Sequence, residues 1–460
     1  MSIKKSVALF LAILLCMTFL YGCTAESESF TAEPVTLTPL AELDRSKLGD
    51  YTANEETRNR VAALKQTFDG MPETEVSLFA VTEHENSCEI TKYLGTGKAA
   101  SVRIPAVING KPVTAIANGA FAGDADVKAL YIPDGVISIG TNILTDSPDV
   151  SALRTPFMGA SRDSEQYLGY FFGAESYINN PLNIPATLKY LEIGEGAEKI
   201  ASYSLFECND LELITLPESV KTVESYALYG CTSLLAINVD HLTTLAPHAL
   251  HSCSALTKLT FSETLTSIGL GALEGCEEIR TLTLPFVGGS ATENTYLGYI
   301  FGAETPDFAP GYYPQYLTRI TVLDICTALG QFAMYECDML TEVTLPDTLT
   351  SIGLRAFSGC LYLESITFPN ALTSIGDNAF FGCRSLKALD LSQTALTSIG
   401  TNAFYFCDAL TEVKLPDSLT VLPASCFAQC NQLASINLEN IVTIGKNAFR
   451  GCPDLPDGTY

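Results

Sequence analysis

"LPDTLTSIGLRAFSGC", Leu345 to Cys360, is followed 23 residues later by "FPNALTSIGDNAFFGC", Phe368 to Cys383. The same skeleton returns along the chain. Cysteine recurs at positions 208, 231, 253 and 276, and again at 337, 360, 383, 407, 430 and 452, in steps of 22 to 24 residues within each run. Three residues before each of these stands a large apolar residue: Leu205, Leu228, Leu250, Leu273, Met334, Phe357, Phe380, Phe404, Phe427 and Phe449. Asp124 and Ser147 hold the same register further back, behind Phe121 and Leu144. A fixed period of this size means one supersecondary unit stacked many times.

Each unit has two parts. In the stretch from Leu340 to Leu345, Val343 and Leu345 fall on one face of a strand and Thr344 on the other. Proline closes several of these strands, at Pro217, Pro346, Pro369 and Pro416, where its missing N–H does no harm. The second part, "TSIGxxAFxGC", supplies an apolar Ile, a Gly for a turn and a compact Ala-Phe turn. Every strand is followed by a return segment and then the next strand, so successive strands lie side by side in parallel. The predicted fold is a β-rich solenoid with a parallel sheet and short turns or helical turns in each repeat.

Written as LxxVxLPxxLxSIGxxAFxGC, the motif resembles the BspA-like leucine-rich repeat of bacterial surface proteins. The resemblance covers roughly Ser87 to Tyr460. It implies a leucine-rich repeat solenoid that serves adhesion or recognition and carries out no reaction. The chain departs from the commoner leucine-rich repeat after the strand, where Ser219, Thr348 or Ser418 replaces a regular Asn. The stretch from Ile90 to Phe121 also looks like the family's first repeat. Its Asn109-Gly110 pair suits a two-residue hairpin turn that would cap the N-terminal edge.

Two units are longer, near 153–191 and 282–320. "LRTPFMGASRDSEQYLGYFFGAE" starts at Leu153 and "LTLPFVGGSATENTYLGYIFGAE" at Leu282, an offset of 129 residues that also separates Cys208 from Cys337. Each spaces its strand ends by 38 residues instead of 23. The extra residues, "PDFAPGYYPQY" among them, are expected to bulge as loops on one side of the solenoid. Loops on a rigid scaffold are common binding elements, which makes Tyr312, Tyr313 and Tyr316 a candidate binding loop. The other reading of the long units is that residues such as Tyr296, Tyr299 and Phe301 fill the core of a larger repeat.

The first 23 residues stand apart. Lys4 and Lys5 precede an apolar run from Val7 to Leu20, too short for a comfortable membrane span and of the length of a signal-peptide core. "LYGC", Leu20 to Cys23, resembles the lipobox of bacterial lipoproteins, although Tyr21 is larger than the residue usual there. That resemblance implies cleavage after Gly22 and lipidation of the Cys23 sulfur; an ordinary signal peptide cleaved nearby is the alternative. The domain reading is a signal peptide at 1–22, a polar tether at 23–52, a short helical segment at 53–86 and the array at 87–460. Val61, Leu64 and Phe68 share one face of the helix.

Composition narrows the partners. The chain has 460 residues, is 47% hydrophobic and carries a net charge of −26 from 52 acidic and 26 basic side chains. Phosphate backbones and anionic membrane surfaces repel it, so nucleic acid is not an expected partner and membrane contact is expected only through the N-terminal lipid. No catalytic constellation stands out. "GTGKAAS", Gly95 to Ser101, lacks the first glycine of a phosphate loop and has Ala99 in place of its Ser/Thr. His248 and His251 flank the repeated Ala249-Leu250 pair, with no Glu between them in a zinc-protease arrangement, and are read as surface or half-buried residues. No metal and no cofactor are expected.

The ladder cysteines would sit about 5 Å apart from rung to rung, within reach of a disulfide. A repeated inward cysteine nevertheless packs as a small hydrophobe, and free buried thiols are expected. The candidate binding face is the residue between the last two apolar strand positions: Thr215, Asn238, Thr260, Thr283, Thr321, Thr344, Thr367, Asp390, Lys414 and Asn437. A threonine ladder also supports a sheet by itself, so this column has two readings. The expected function is a lipid-anchored, surface-exposed recognition or adhesion module of the bacterial cell envelope, binding an extracellular protein or glycan. The alternatives are a lipoprotein capturing glycans or solutes, and an envelope scaffold self-associating through solenoid edges.

Overall fold

The computed structural model describes residues 55–95, 101–164, 166–293 and 295–456. Cys23, the signal segment 1–22 and the tether 23–52 lie outside the described residues. The array is a parallel-sheet solenoid of about 15 turns among the described residues, with little helix. In its principal sheet, Leu282 pairs in register with Ile320, and Ile320 with Val343, all pointing inward and at most 3% exposed. The next residue of each strand, Thr283, Thr321 and Thr344, points outward in the same register.

A second parallel sheet runs along the return segments. Ser351–Ile352, Ser374–Ile375 and Ser398–Ile399 pair with one another, with each isoleucine buried. Sequence reading places a turn here, because two residues are too few to show a strand period. They become strands because stacking brings identical dipeptides together at sheet spacing. The glycine after each isoleucine is needed for that spacing: a Cβ on Gly376 would lie 2.8 Å from the backbone carbonyl carbon of Gly353 one rung away. The residue before each ladder cysteine is left-handed, glycine in half of the rungs and Glu207, Ser252, Glu336, Phe406 or Gln429 in the others. Gly382 has open space around it, but its φ of +73° is a left-handed conformation that side chains resist.

The third side of the rung holds the phenylalanine and cysteine rows. Phe357, Phe380, Phe404, Phe427 and Phe449 stack as near-parallel rings, with centroids 5.0, 5.2, 5.3 and 6.0 Å apart. Eight ladder cysteines donate Sγ–H to the carbonyl of the apolar residue one rung back, among them Cys360 to Met334 at 3.1 Å, Cys383 to Phe357 at 3.2 Å and Cys452 to Phe427 at 3.0 Å, whereas Cys208 turns to Phe206 in its own rung. Every described cysteine is a buried free thiol, as expected.

The long units keep strand register. Thr281–Leu284 pairs directly with Arg319–Val322, as Ala152–Thr155 does with Tyr190–Ile193. Much of the added chain does not bulge freely but folds back as 3₁₀ turns, Leu168–Phe172 and Leu297–Phe301, whose Phe171 and Phe301 are buried. Tyr167 and Tyr296 repeat one contact across the 129-residue offset, their hydroxyls donating to the carbonyls of Ala174 and Ala303. The core-filling reading of Tyr296 and Phe301 therefore holds. Tyr296 is 8% exposed and Phe301 1%.

The N-terminal edge is closed in two places. Phe79–Glu83 pairs antiparallel with Cys88–Tyr93, which in turn pairs with Lys111–Ile116 of the second sheet. Asn109 and Gly110 make the expected hairpin turn, both at positive φ. The segment 53–86 is thus not helical throughout, because its last part is this capping strand. The edge of the principal sheet is covered by Thr74, whose N–H donates to the Arg103 carbonyl while its hydroxyl accepts from the Arg103 N–H.

Burial pushes the Cys276 thiol up to about 12 from an ordinary 9.0. At neutral pH the thiol is protonated in both states and stability is full; above 9.0 the unfolded chain loses the proton first, so stability falls as pH rises toward 12. We expect native protein to resist alkylation by iodoacetamide at neutral pH and urea-unfolded protein to react fully. We also expect the urea midpoint to fall as the pH is raised above the ordinary thiol value of 9.0. Rapid labelling of ladder cysteines in the native state would contradict this packing.

Candidate functional site

From Thr260 to Lys414 the strand column is open. Thr260, Thr344, Thr367, Asp390 and Lys414 are exposed, and Thr283 and Thr321 half-exposed. A second outward row, two residues earlier on each strand, holds Lys258, Thr281, Arg319, Glu342, Ser365, Ala388 and Glu412 in register. Where the rows pass Glu342, Thr344, Ser365 and Thr367, the surface forms a depression of about 650 Å³, rimmed by Asp347 and Asn370. Charges in the rows pair with each other: Arg319 with Glu342 at 3.2 Å, and Lys414 with both Asp390 at 3.9 Å and Glu412 at 3.6 Å. The Ser392 hydroxyl and N–H hold the Asp390 carboxyl below its usual range, with help from Lys414. The face can offer hydroxyls and paired charges to a large partner. It has no convergent pocket of titratable groups.

Two members of the predicted column are used by the backbone. In other rungs the amide after the column residue donates to the next rung's carbonyl, as Phe261 does to Thr283 at 3.0 Å and Leu391 to Lys414 at 2.8 Å. At Leu216 the acceptor is instead the side-chain Oδ1 of Asn238, at 2.8 Å, and the Asn238 Nδ2 donates back to the Leu216 carbonyl at 2.8 Å. Asn437 treats Leu415 the same way, at 2.7 and 3.0 Å. These amides stand in for peptide groups and hold the sheet together.

The first part of the face is covered by the chain itself. Helix α1, Glu55–Lys65, carries Glu55 and Glu56 at its start and Lys65 at its end, matching the helix dipole. At 11 residues it is marginal alone, and packing holds it. With the following turn it brings Val61, Leu64 and buried Phe68 onto Ala129, Ala152, Tyr190 and Leu213, the second outward row of the early rungs. The Phe68 ring lies 5.5 Å from Tyr190 and 5.8 Å from Tyr131. Arg60 makes a two-pronged ion pair with Glu212. Thr215 sits at the border, half-buried, accepting from the Tyr190 hydroxyl at 3.3 Å.

The column also extends further back than sequence reading placed it, through Arg103, Tyr131, Arg154 and Glu192. Arg154 is 6% exposed yet fully engaged. It donates to Glu192, to both oxygens of Asp134 and to the Ile132 carbonyl, and it stacks on Tyr131. The alternation of two inward residues around a charged one was the available signal for this extension.

The candidate tyrosine loop does not present three rings together. Tyr312 is 44% exposed. Tyr313 is turned inward, edge-on to Phe301, its hydroxyl donating to the Tyr335 carbonyl at 3.0 Å. Tyr316 lies under the Arg280 guanidinium, 4.7 Å away. The exposed neighbour of Tyr312 is Phe308, 63% exposed on the turn Pro306–Gly311, which sequence reading passed over.

The described outward face is repetitive and largely polar. A model of the BspA type leucine rich repeat region matches residues 183–296 and 318–456, in 6 copies, and the chain belongs to that family. Proteins of this family are bacterial surface proteins whose solenoids serve as recognition scaffolds. No curated protein matches the chain. Among solved structures, it is similar to a leucine rich cell surface protein from Faecalibacterium prausnitzii, with 23% identity over 80% of this chain and 95% of that one and a TM-score of 0.30. It is also similar to a leucine-rich repeat protein from Bacteroides ovatus, with 18% identity over 84% and 93% and a TM-score of 0.30. A third is the Leucine Rich Repeat protein of T. pallidum, with 17% identity over 84% and 92% and a TM-score of 0.24. No described helix is long and apolar enough to cross a membrane.

Asn238→Ala orphans both polar groups of Leu216 and should cost about 1–3 kcal/mol in urea denaturation. Thr260→Ala, on the open face, should stay within about 0.5 kcal/mol of the parent. Equal effects at the two sites would remove the distinction drawn between sheet-holding and surface members of the column.

Proposed function

We propose that the chain is exported, cleaved after Gly22 and anchored to the bacterial envelope by lipid on Cys23, with residues 23–52 holding the array off the membrane. It recognises an extracellular protein through the strand face from Thr260 to Lys414, and it catalyses no reaction. The observation that carries this reading is the open hydroxyl column of Thr260, Thr283, Thr321, Thr344 and Thr367, which begins past the rungs that α1 covers. Its backbone groups are already paired within the sheet, so a partner meets a rigid surface and little ordering entropy is lost there on binding. The dispersal of Tyr312, Tyr313 and Tyr316 removes the aromatic platform that favoured glycan capture. The net charge of −26 suits a partner with a basic face.

Purified residues 24–460 should bind a protein member of a panel of matrix proteins, glycans and bacterial surface components. Changing Thr344 and Thr367 together to Arg should abolish that binding and leave the unfolding midpoint unchanged. Glycan binding that survives both changes would move the site to the Phe308–Tyr312 turn. Silence across the panel with self-association would favour the envelope scaffold. For the anchor, cells expressing the full chain and fed labelled palmitate should label the protein, and Cys23→Ser should abolish the label. Undiminished labelling of that variant would end the lipobox reading.

A further inference from the structure

On the turn side of the early rungs, aromatic side chains form two stacked rows. One runs Tyr177, Tyr203, Tyr226, His248, with ring centroids 4.7, 5.3 and 4.8 Å apart. The other runs Phe206, Tyr229, His251, at 5.2 and 4.7 Å. One rung further on, these two positions are occupied by Gly271 and Glu274. With no side chain at Gly271, the Glu274 carboxylate reaches across the ends of both rows. One of its oxygens lies 3.3 Å from His248 Nδ1 and 3.7 Å from His251 Nε2. The three atoms lie within 4.8 Å of one another. A Cβ on Gly271 would sit 2.7 Å from the His248 ring and 2.8 Å from that carboxylate oxygen, so the glycine leaves the room that the cluster uses.

Two details point to a ligand. His248 Nδ1 is buried and has no hydrogen-bond partner, although it faces the carboxylate. The other nitrogen of His251, Nδ1, is 2.8 Å from the Ser252 hydroxyl. A hydrogen bond donated from Nδ1 to that oxygen places the free lone pair of His251 on Nε2, toward Glu274. Metal-binding histidines are held in this way by an outer partner on their second nitrogen.

We propose that His248 Nδ1, His251 Nε2 and a Glu274 carboxylate oxygen bind a divalent ion of the zinc class, with a fourth position open to water or to a group from a partner. Two imidazoles and one carboxylate are the donor set that zinc accepts in open sites. Metal–ligand bonds of about 2.0–2.2 Å place tetrahedral donors about 3.5 Å apart. The separations of 3.3 and 3.7 Å already match. Both histidines and the glutamate remain 20–34% exposed at the side chain, so an ion can reach them.

The test is calorimetric titration of untagged residues 24–460 with Zn²⁺, supported by the visible absorption of the Co²⁺ form. One saturable equivalent is expected. Loss of a ligand in His251→Ala or Glu274→Gln should weaken binding more than loss of the outer partner in Ser252→Ala, which should cost about 10–100-fold. His84→Ala, distant in sequence, should change nothing. Glu274→Gln keeps the shape of the side chain, so a folded variant is expected, and circular dichroism checks it. Absence of a one-equivalent site, or a site that survives both His251→Ala and Glu274→Gln in folded protein, overturns the proposal.

Discussion

Backbone hydrogen bonds between successive rungs set the spacing on which the rest of this chain depends. Sheet spacing of about 4.8 Å leaves almost no freedom in what lies between two rungs. In the later rungs it favours glycine after the isoleucine, where a Cβ on Gly353, Gly376 or Gly400 would strike the neighbouring backbone. It also brings identical rings into stacks that run from Phe357 to Phe449. Cysteine fits the remaining gap because it is small, apolar and able to spend its one weak proton on the carbonyl below. The repeated motif records that single distance, residue by residue.

The fold was legible in the sequence because every rung repeats the same constraint. The alternation of Val343, Thr344 and Leu345 gave the strand, and the period gave the stack. The second sheet was not legible, because Ser351-Ile352 is too short to carry a period of its own. The capping strand Phe79–Glu83 was missed for a related reason: its partner, Cys88–Tyr93, is paired by tertiary contact and not by pattern. At the face, Asn238 and Asn437 read as surface amides, and only their hydrogen bonds show that they serve Leu216 and Leu415. Tyr313 read as a loop residue because its path back to Tyr335 is a matter of chain direction. Glu274 was one acidic residue among 52 until stacking placed it beside two imidazoles a rung away.

The two ends of the principal face differ in how their polarity is satisfied. Near α1 the column is dense with charge, and that charge is spent internally, with Arg154 between Asp134 and Glu192 and Arg60 on Glu212. Phe68 and Tyr190 then cover the apolar row beside it. Further along, threonines replace the charges in the middle of the column, and among the described residues none lies over them. An acidic protein gains little from burying more like charge, and neutral hydroxyls keep the open part of the face free of self-repulsion. The long units fall on both sides of this change, and each interrupts the second sheet without disturbing the first.

The offset of 129 residues has an evolutionary consequence. It spans one long unit and a whole number of ordinary rungs, from Arg154 to Thr283 along the outward column. A gene segment of that length can be copied in tandem without shifting the strand register, because the copy ends in the phase in which it began. The array can therefore change its reach in whole steps while its interior stays the same. Selection is then left to act on the outward residues alone, so related chains can diverge in what they recognise faster than in how they fold.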